Sequence, residues 1–112
     1  MQRPYKNVVT PMGIYAIRHL ESGKVLLGWS LDVQAMLNRS KFELEHGSHV
    51  NKALQADWRE YGPQAFEFVM LDELKPRPEE LPKAAYCREL ETLQALWLEE
   101  LQPFAERGYH SR

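Results

Sequence analysis

Four histidines, one cysteine and fourteen lysines and arginines are the side chains of this sequence best able to ligate, attack or neutralise. Their spacing excludes several kinds of chemistry. His19 and His46 have no Cys or acidic partner at the intervals of a zinc site. Cys87 falls in a helical pattern with no His/Asn arrangement around it, which argues against a nucleophilic thiol. As the lone cysteine it forms no internal disulfide, which favours a reducing compartment. No Gly-rich phosphate loop, Gly-x-Ser-x-Gly or His-Glu-x-x-His is present. Lys24, Lys41 and Lys52 are able to contact phosphates, and equally able simply to solvate a surface. A formal charge of −2 does not advertise a polyanion partner. Residues 1–60, however, carry eight Lys/Arg against six Asp/Glu, and residues 61–112 carry six against ten. Only the first half has the makings of a basic face.

The elements that would position these groups are legible in the hydrophobic pattern. The 112 residues, 44% hydrophobic and 27% charged, suit one domain. A chain of this length buries roughly 65% of its unfolded surface. No apolar run approaches the roughly 20 residues of a membrane span. The polar residues 1–10 do not read as a secretory signal, and the expectation is a cytoplasmic protein. Period-2 alternation predicts strands over 12–19 and 25–29, joined as a hairpin by the Glu21-Ser22-Gly23-Lys24 turn. Ser30 suits a helix cap and Asp32 a first turn, and Val33, Leu37 and Leu44 then mark one face of a helix ending at Gly47. A second helix over 51–61 carries Leu54 and Trp58 and stops at Gly62-Pro63. A third strand spans 65–71, and a proline-rich loop follows over 75–82. Tyr86, Leu90, Leu93, Trp97 and Leu101 then recur at helical spacing up to Pro103. Trp29, Trp58 and Trp97 read as core. The tail from Arg107 reads as a mobile end. The predicted class is α+β: a small three-stranded antiparallel sheet flanked by helices, in the order β-β-α-α-β-α.

Several short motifs sit on these elements. Gly13-Ile14-Tyr15 opens the first strand, and Leu26-Leu27-Gly28 lies in the second. Asn38-Arg39 falls on the first helix. Gly47-Ser48-His49-Val50-Asn51-Lys52, Leu54-Gln55-Ala56-Asp57-Trp58, Tyr61-Gly62 and Phe66-Glu67-Phe68 follow in order. The end, 97–103 and then Gly108-Tyr109, is similar to a closing helix and Gly-Tyr-Asn tail. This succession resembles the GIY-YIG nuclease family, particularly its homing-endonuclease-like branch, over about residues 13–110.

The resemblance implies phosphodiester hydrolysis with a divalent metal, Mg²⁺ or Mn²⁺, and a nucleic-acid partner, most naturally DNA. Positive charge must neutralise the developing oxyanion while the metal acidifies or positions water. Tyr15 stands at the first tyrosine position, where a phenol is able to relay a proton; it equally suits a core tyrosine with one satisfied hydroxyl. Leu26 stands at the second and can neither donate nor accept. Met36 falls at the catalytic arginine, with Arg39 one helical turn on as the available substitute. Gln94, counted back from Trp97, falls at the metal-holding glutamate, and Glu91 is the nearest carboxylate on a similar face. No metal ligand is therefore assigned. His49 and Asn51 match the Gly-x-His-x-Asn stretch. The resemblance puts His49 near the phosphate, while Asn51 also suits a helix cap.

Catalytic candidates are thus Tyr15, Arg39 and His49, and nucleic-acid contacts are Lys24, Lys41, Asn51 and Lys52. Three family positions hold side chains unable to do the expected work. The expectation is a nuclease-like, DNA-binding pseudoenzyme with weak or absent hydrolysis. The alternative is an interaction or regulatory domain on the same fold with no nucleic-acid role.

Overall fold

The computed structural model describes residues 11–79 and 81–111; the reading of residues 1–10 lies outside them. Strict alternation along β1 (Met12–His19) gives it two apolar faces. Ile14 and Ala16 join one buried cluster, and Ile17, with Tyr15 packed beside it, joins the other. A strand apolar on both sides belongs in the middle, and β1 is central. β2 (Val25–Ser30) and β3 (Phe66–Leu74) flank it antiparallel in the order β2-β1-β3. The α+β class and the predicted element order hold, with short 3₁₀ turns at Pro63–Ala65 and Ala105–Arg107 added.

β3 runs three residues past the predicted end at Leu71 because Met12 and Gly13 pair with Leu74 and Glu73. An irregularity between Ile14 and Tyr15 leaves Leu71 as an extra residue there. Polar Asp72 and Glu73 hid the extension from a hydrophobicity reading.

α1 (Val33–Glu45) and α2 (Lys52–Tyr61) cover one face of the sheet through Val33, Leu37, Leu44, Leu54 and Trp58. Burying each such side chain stabilises by about 1.5–3 kcal/mol. The cap of α1 is Asp32, whose carboxylate accepts from the Ala35 amide at 3.1 Å. Ser30, the expected cap, instead bonds both the amide and the carbonyl of Asp32 and braces the turn. α3 (Lys83–Leu101) lies on the other face, with Leu93, Trp97, Leu98 and Leu101 against Ile14, Ala16, Val25 and Leu27. No helix among the described residues is long and apolar enough to cross a membrane.

The tail corrects a prediction. Gly108 bridges to Val25, the Tyr109 amide donates to the Val25 carbonyl at 3.1 Å, and the Tyr109 ring is only 6% exposed in the core under α2. A segment too short for periodicity analysis is thus built into the molecule.

Candidate functional site

Tyr15 points toward the α1/α2 face, half-buried beside that core. Its cross-strand partner on β2 is Gly28. The Tyr15 phenol lies where any Gly28 side chain would stand, since a Cβ there would overlap its hydroxyl oxygen and the ring carbons beside it. The glycine of the second motif is therefore a seat for the tyrosine of the first. Burial, followed by the charge of Glu43, raises the phenol above its ordinary value. Tyr15 is neutral at physiological pH, a hydrogen-bonding group and a poor base.

His49 is buried in the connection between α1 and α2. The Asn51 amide donates to its Nδ1 at 3.0 Å. That bond fixes the neutral tautomer with the proton on Nε2. Burial lowers its pKa, opposed by the charge of Glu43. The ring thus offers a donor at Nε2, and that nitrogen has no lone pair for accepting a proton. Gln55 anchors the connection: its Oε1 accepts from the His49 amide at 3.0 Å, and its Nε2 donates to the Leu44 carbonyl at 2.9 Å. The buried glutamine of the Leu-Gln-x-x-Trp motif thereby ties the His49 loop to the end of α1.

Glu43 links the candidates. Its charge acts on both Tyr15 and His49, and its carboxylate pairs with Arg39 at 3.1 Å one helical turn back. Glu43, which the sequence reading missed, thus pairs with Arg39 and is near enough for its charge to be felt at Tyr15 and His49. Its one advance signal was the i,i+4 spacing from Arg39. With Tyr15 and His49 neutral, the Arg39–Glu43 pair leaves the cluster without net charge.

The other candidates are scattered. Lys24 stands over the Tyr109 ring at 5.8 Å. Lys41 and Lys52 are exposed on α1 and α2. Lys41 follows Arg39 by two residues, and two steps of about 100° put it on the far side of the helix. Asn51 caps α2 through the Leu54 amide at 3.0 Å, and its Nδ2 donates to the Tyr109 carbonyl at 2.9 Å. Both ends of its amide are engaged.

Leu26 packs against the α1/α2 core and Met36 is half-buried on α1, so neither family position carries a polar group. Gln94 Nε2 donates to the Leu27 carbonyl at 3.1 Å. A hard divalent cation is held by carboxylate oxygens. A neutral amide already bonded to the backbone does not fit that task. Glu91 is exposed on α3, and no group of three or more His, Cys, Asp or Glu able to hold a metal occurs among the described residues.

No family model matches the sequence, and no curated protein does. Two solved structures do match. One is the catalytic domain of the intron endonuclease I-TevI in a Glu-to-Ala variant, with a TM-score of 0.72 and 25% identity over 90% of this chain and 93% of that one. The other is the catalytic domain of the homing endonuclease I-TevI, with a TM-score of 0.68 and 28% identity over 88% of this chain and 95% of that one. In its fold and the order of its sequence landmarks, the chain is similar to the GIY-YIG catalytic domain of a homing endonuclease.

Proposed function

We propose that the protein binds nucleic acid, DNA before RNA, on a GIY-YIG nuclease fold and hydrolyses phosphodiesters weakly or not at all. The observation that carries this reading is Gln94, a neutral amide tied to the Leu27 carbonyl, where the resemblance implies the family's metal-holding glutamate. Leu26 and Met36 point the same way. Hydrolysis needs positive charge directed at the developing oxyanion, and Arg39 is held by Glu43 instead.

Binding makes weaker demands. Arg39 is exposed along most of its length, and its guanidinium has more donors than Glu43 engages. His49 offers Nε2–H, and Lys24, Lys41 and Lys52 add charge on the same half of the chain. Such contacts address the backbone and fix register, so recognition is directed at shape more than sequence.

The test is incubation of the protein with labelled single-stranded and branched DNA, with Mg²⁺ or Mn²⁺, beside an Arg39→Ala variant. Binding that falls steeply with salt, weakens in the variant and is accompanied by no cleavage is the expected result. Metal-dependent cleavage abolished in Arg39→Ala would overturn the loss of hydrolysis. No binding at low salt would overturn the nucleic-acid role and favour a regulatory or interaction domain.

A further inference from the structure

β2 is an outer strand, and three bonds close its free side. The Tyr109 amide donates to the Val25 carbonyl at 3.1 Å. The Leu27 amide donates to His110 Nε2 at 2.8 Å, and Gln94 Nε2 donates to the Leu27 carbonyl at 3.1 Å. Leu27 is thus gripped from both its backbone groups, by the tail and by α3. Gly108 makes the approach possible: a side chain there would collide with the Pro103 carbonyl. The tail also reaches the other face, where the Tyr109 hydroxyl donates to Asp57 at 2.8 Å and its carbonyl accepts from Asn51.

We propose that residues 108–110 form a latch, fastened to β2 by the His110–Leu27 and Tyr109–Val25 bonds, that opens when His110 takes up a proton. An imidazole accepting at Nε2 carries its proton on Nδ1 and is neutral. Protonation puts a second N–H on Nε2, so donor faces donor in a half-buried setting and the Leu27 amide loses its acceptor. Among the described residues, the groups recorded against the ring are uncharged. β2 presents the Leu27 backbone, α3 the neutral Gln94, and the following turn the Phe104 ring at 6.5 Å and the Pro103 carbonyl. Glu106 and Arg107 line a separate groove beside Trp97. Burial alone lowers the His110 pKa, which agrees with this geometry.

The latch acts at a distance through Asn51. The residue whose side chain holds the Tyr109 carbonyl also supplies the amide that orients His49. Opening the tail therefore removes one support of the His49 loop as well as the cover of β2. The proposal concerns the free protein and requires no nucleic-acid ligand.

Amide hydrogen exchange on the full chain, at pH about 7.5 and about 5.5, brackets the ordinary histidine value of about 6.5. After correction for intrinsic exchange, protection at Leu27 and Tyr109 is expected to fall several-fold at the lower pH, while Ile14 in the central strand keeps its protection. In His110→Asn, which retains an acceptor and does not titrate, the pH dependence is expected to vanish. Equal protection of the wild-type amides at both pH values, or an unchanged pH dependence in His110→Asn, would overturn the proposal. If that variant does not fold, the wild-type ring titration decides. His110 and the Leu27 amide must titrate with one midpoint, and separate midpoints reject the latch.

Discussion

Gly28 and Tyr15 illustrate how a single atom decides a position. A methyl group at Gly28 would occupy the space of the Tyr15 phenol. Gly28→Ala is expected to destabilise by about 1–3 kcal/mol, the usual cost of overpacking, as read by urea unfolding. Tyr15→Phe removes the nearest clash, with the hydroxyl oxygen, and leaves those with the ring carbons. Gln55 is the second such residue. Gln55→Leu fills the volume but orphans the His49 amide, while the Leu44 carbonyl keeps the Gly47 amide as a donor. The expected loss is roughly 1–3 kcal/mol for the buried amide left unpaired. Neither role was legible beforehand. The motifs drew attention to Gly28 and Gln55 by resemblance, but only the coordinates show what each one touches. Glu43 was missed for a different reason: a helical carboxylate with a basic neighbour looks like a solvated pair until the sheet beneath it is seen.

Helices and strands were far more readable than their ends. Val33, Leu37, Leu44, Leu54 and Trp58 are buried as their spacing required, because apolar side chains on one stripe have one place to go. The caps were less certain. Ser30 and Asp32 both suit a helix start, and the choice turned on which side chain met the Ala35 amide. The far end of β3 escaped notice because backbone pairing with Met12 and Gly13 extends it through polar residues. Gln94 adds a hydrogen bond to the apolar packing of α3 on β2, and here a test is direct. Gln94→Glu restores the family's residue type, yet sets a carboxylate oxygen against the Leu27 carbonyl. A stability loss of about 1–3 kcal/mol at neutral pH is expected, with no gain of Mg²⁺ affinity by calorimetry. Tight Mg²⁺ binding in that variant would show that the ligand position survives and needs only its carboxylate. At the start of α2, Asn51→Ala is expected to cost about 1 kcal/mol for the cap. Its bond to the Tyr109 carbonyl adds to that loss, measurable by thermal unfolding.

Across the whole molecule, two histidines are held neutral in the folded state, His49 and His110, each with its pKa lowered chiefly by burial. The unfolded chain takes up protons at these sites near pH 6.5, before the folded chain does. Their contribution to stability is therefore fully present above about pH 6.5 and is lost as the pH falls through the lower folded-state values. A lower melting temperature at pH about 5.5 than at about 7.5 is the expected outcome, and His110→Asn should show a smaller drop. An unchanged melting temperature would mean that neither imidazole is held neutral. The architecture was readable from the sequence because it depends on patterns spanning the chain. The tail was not, since three residues carry no period and their place is set by partners on β2, α2 and α3.

The tail has a last consequence, for what happens when molecules meet. An unpaired strand edge is a template on which another chain can extend a sheet. With two such edges, each newcomer would offer a fresh one and growth would have no natural end. In this protein the tail occupies the outer side of β2 at Val25 and Leu27, while the outer side of β3 has no strand beside it among the described residues. Two molecules meeting through β3 would each use up their open side. Recruitment by strand pairing would then stop at two, so long as the tail stays in place.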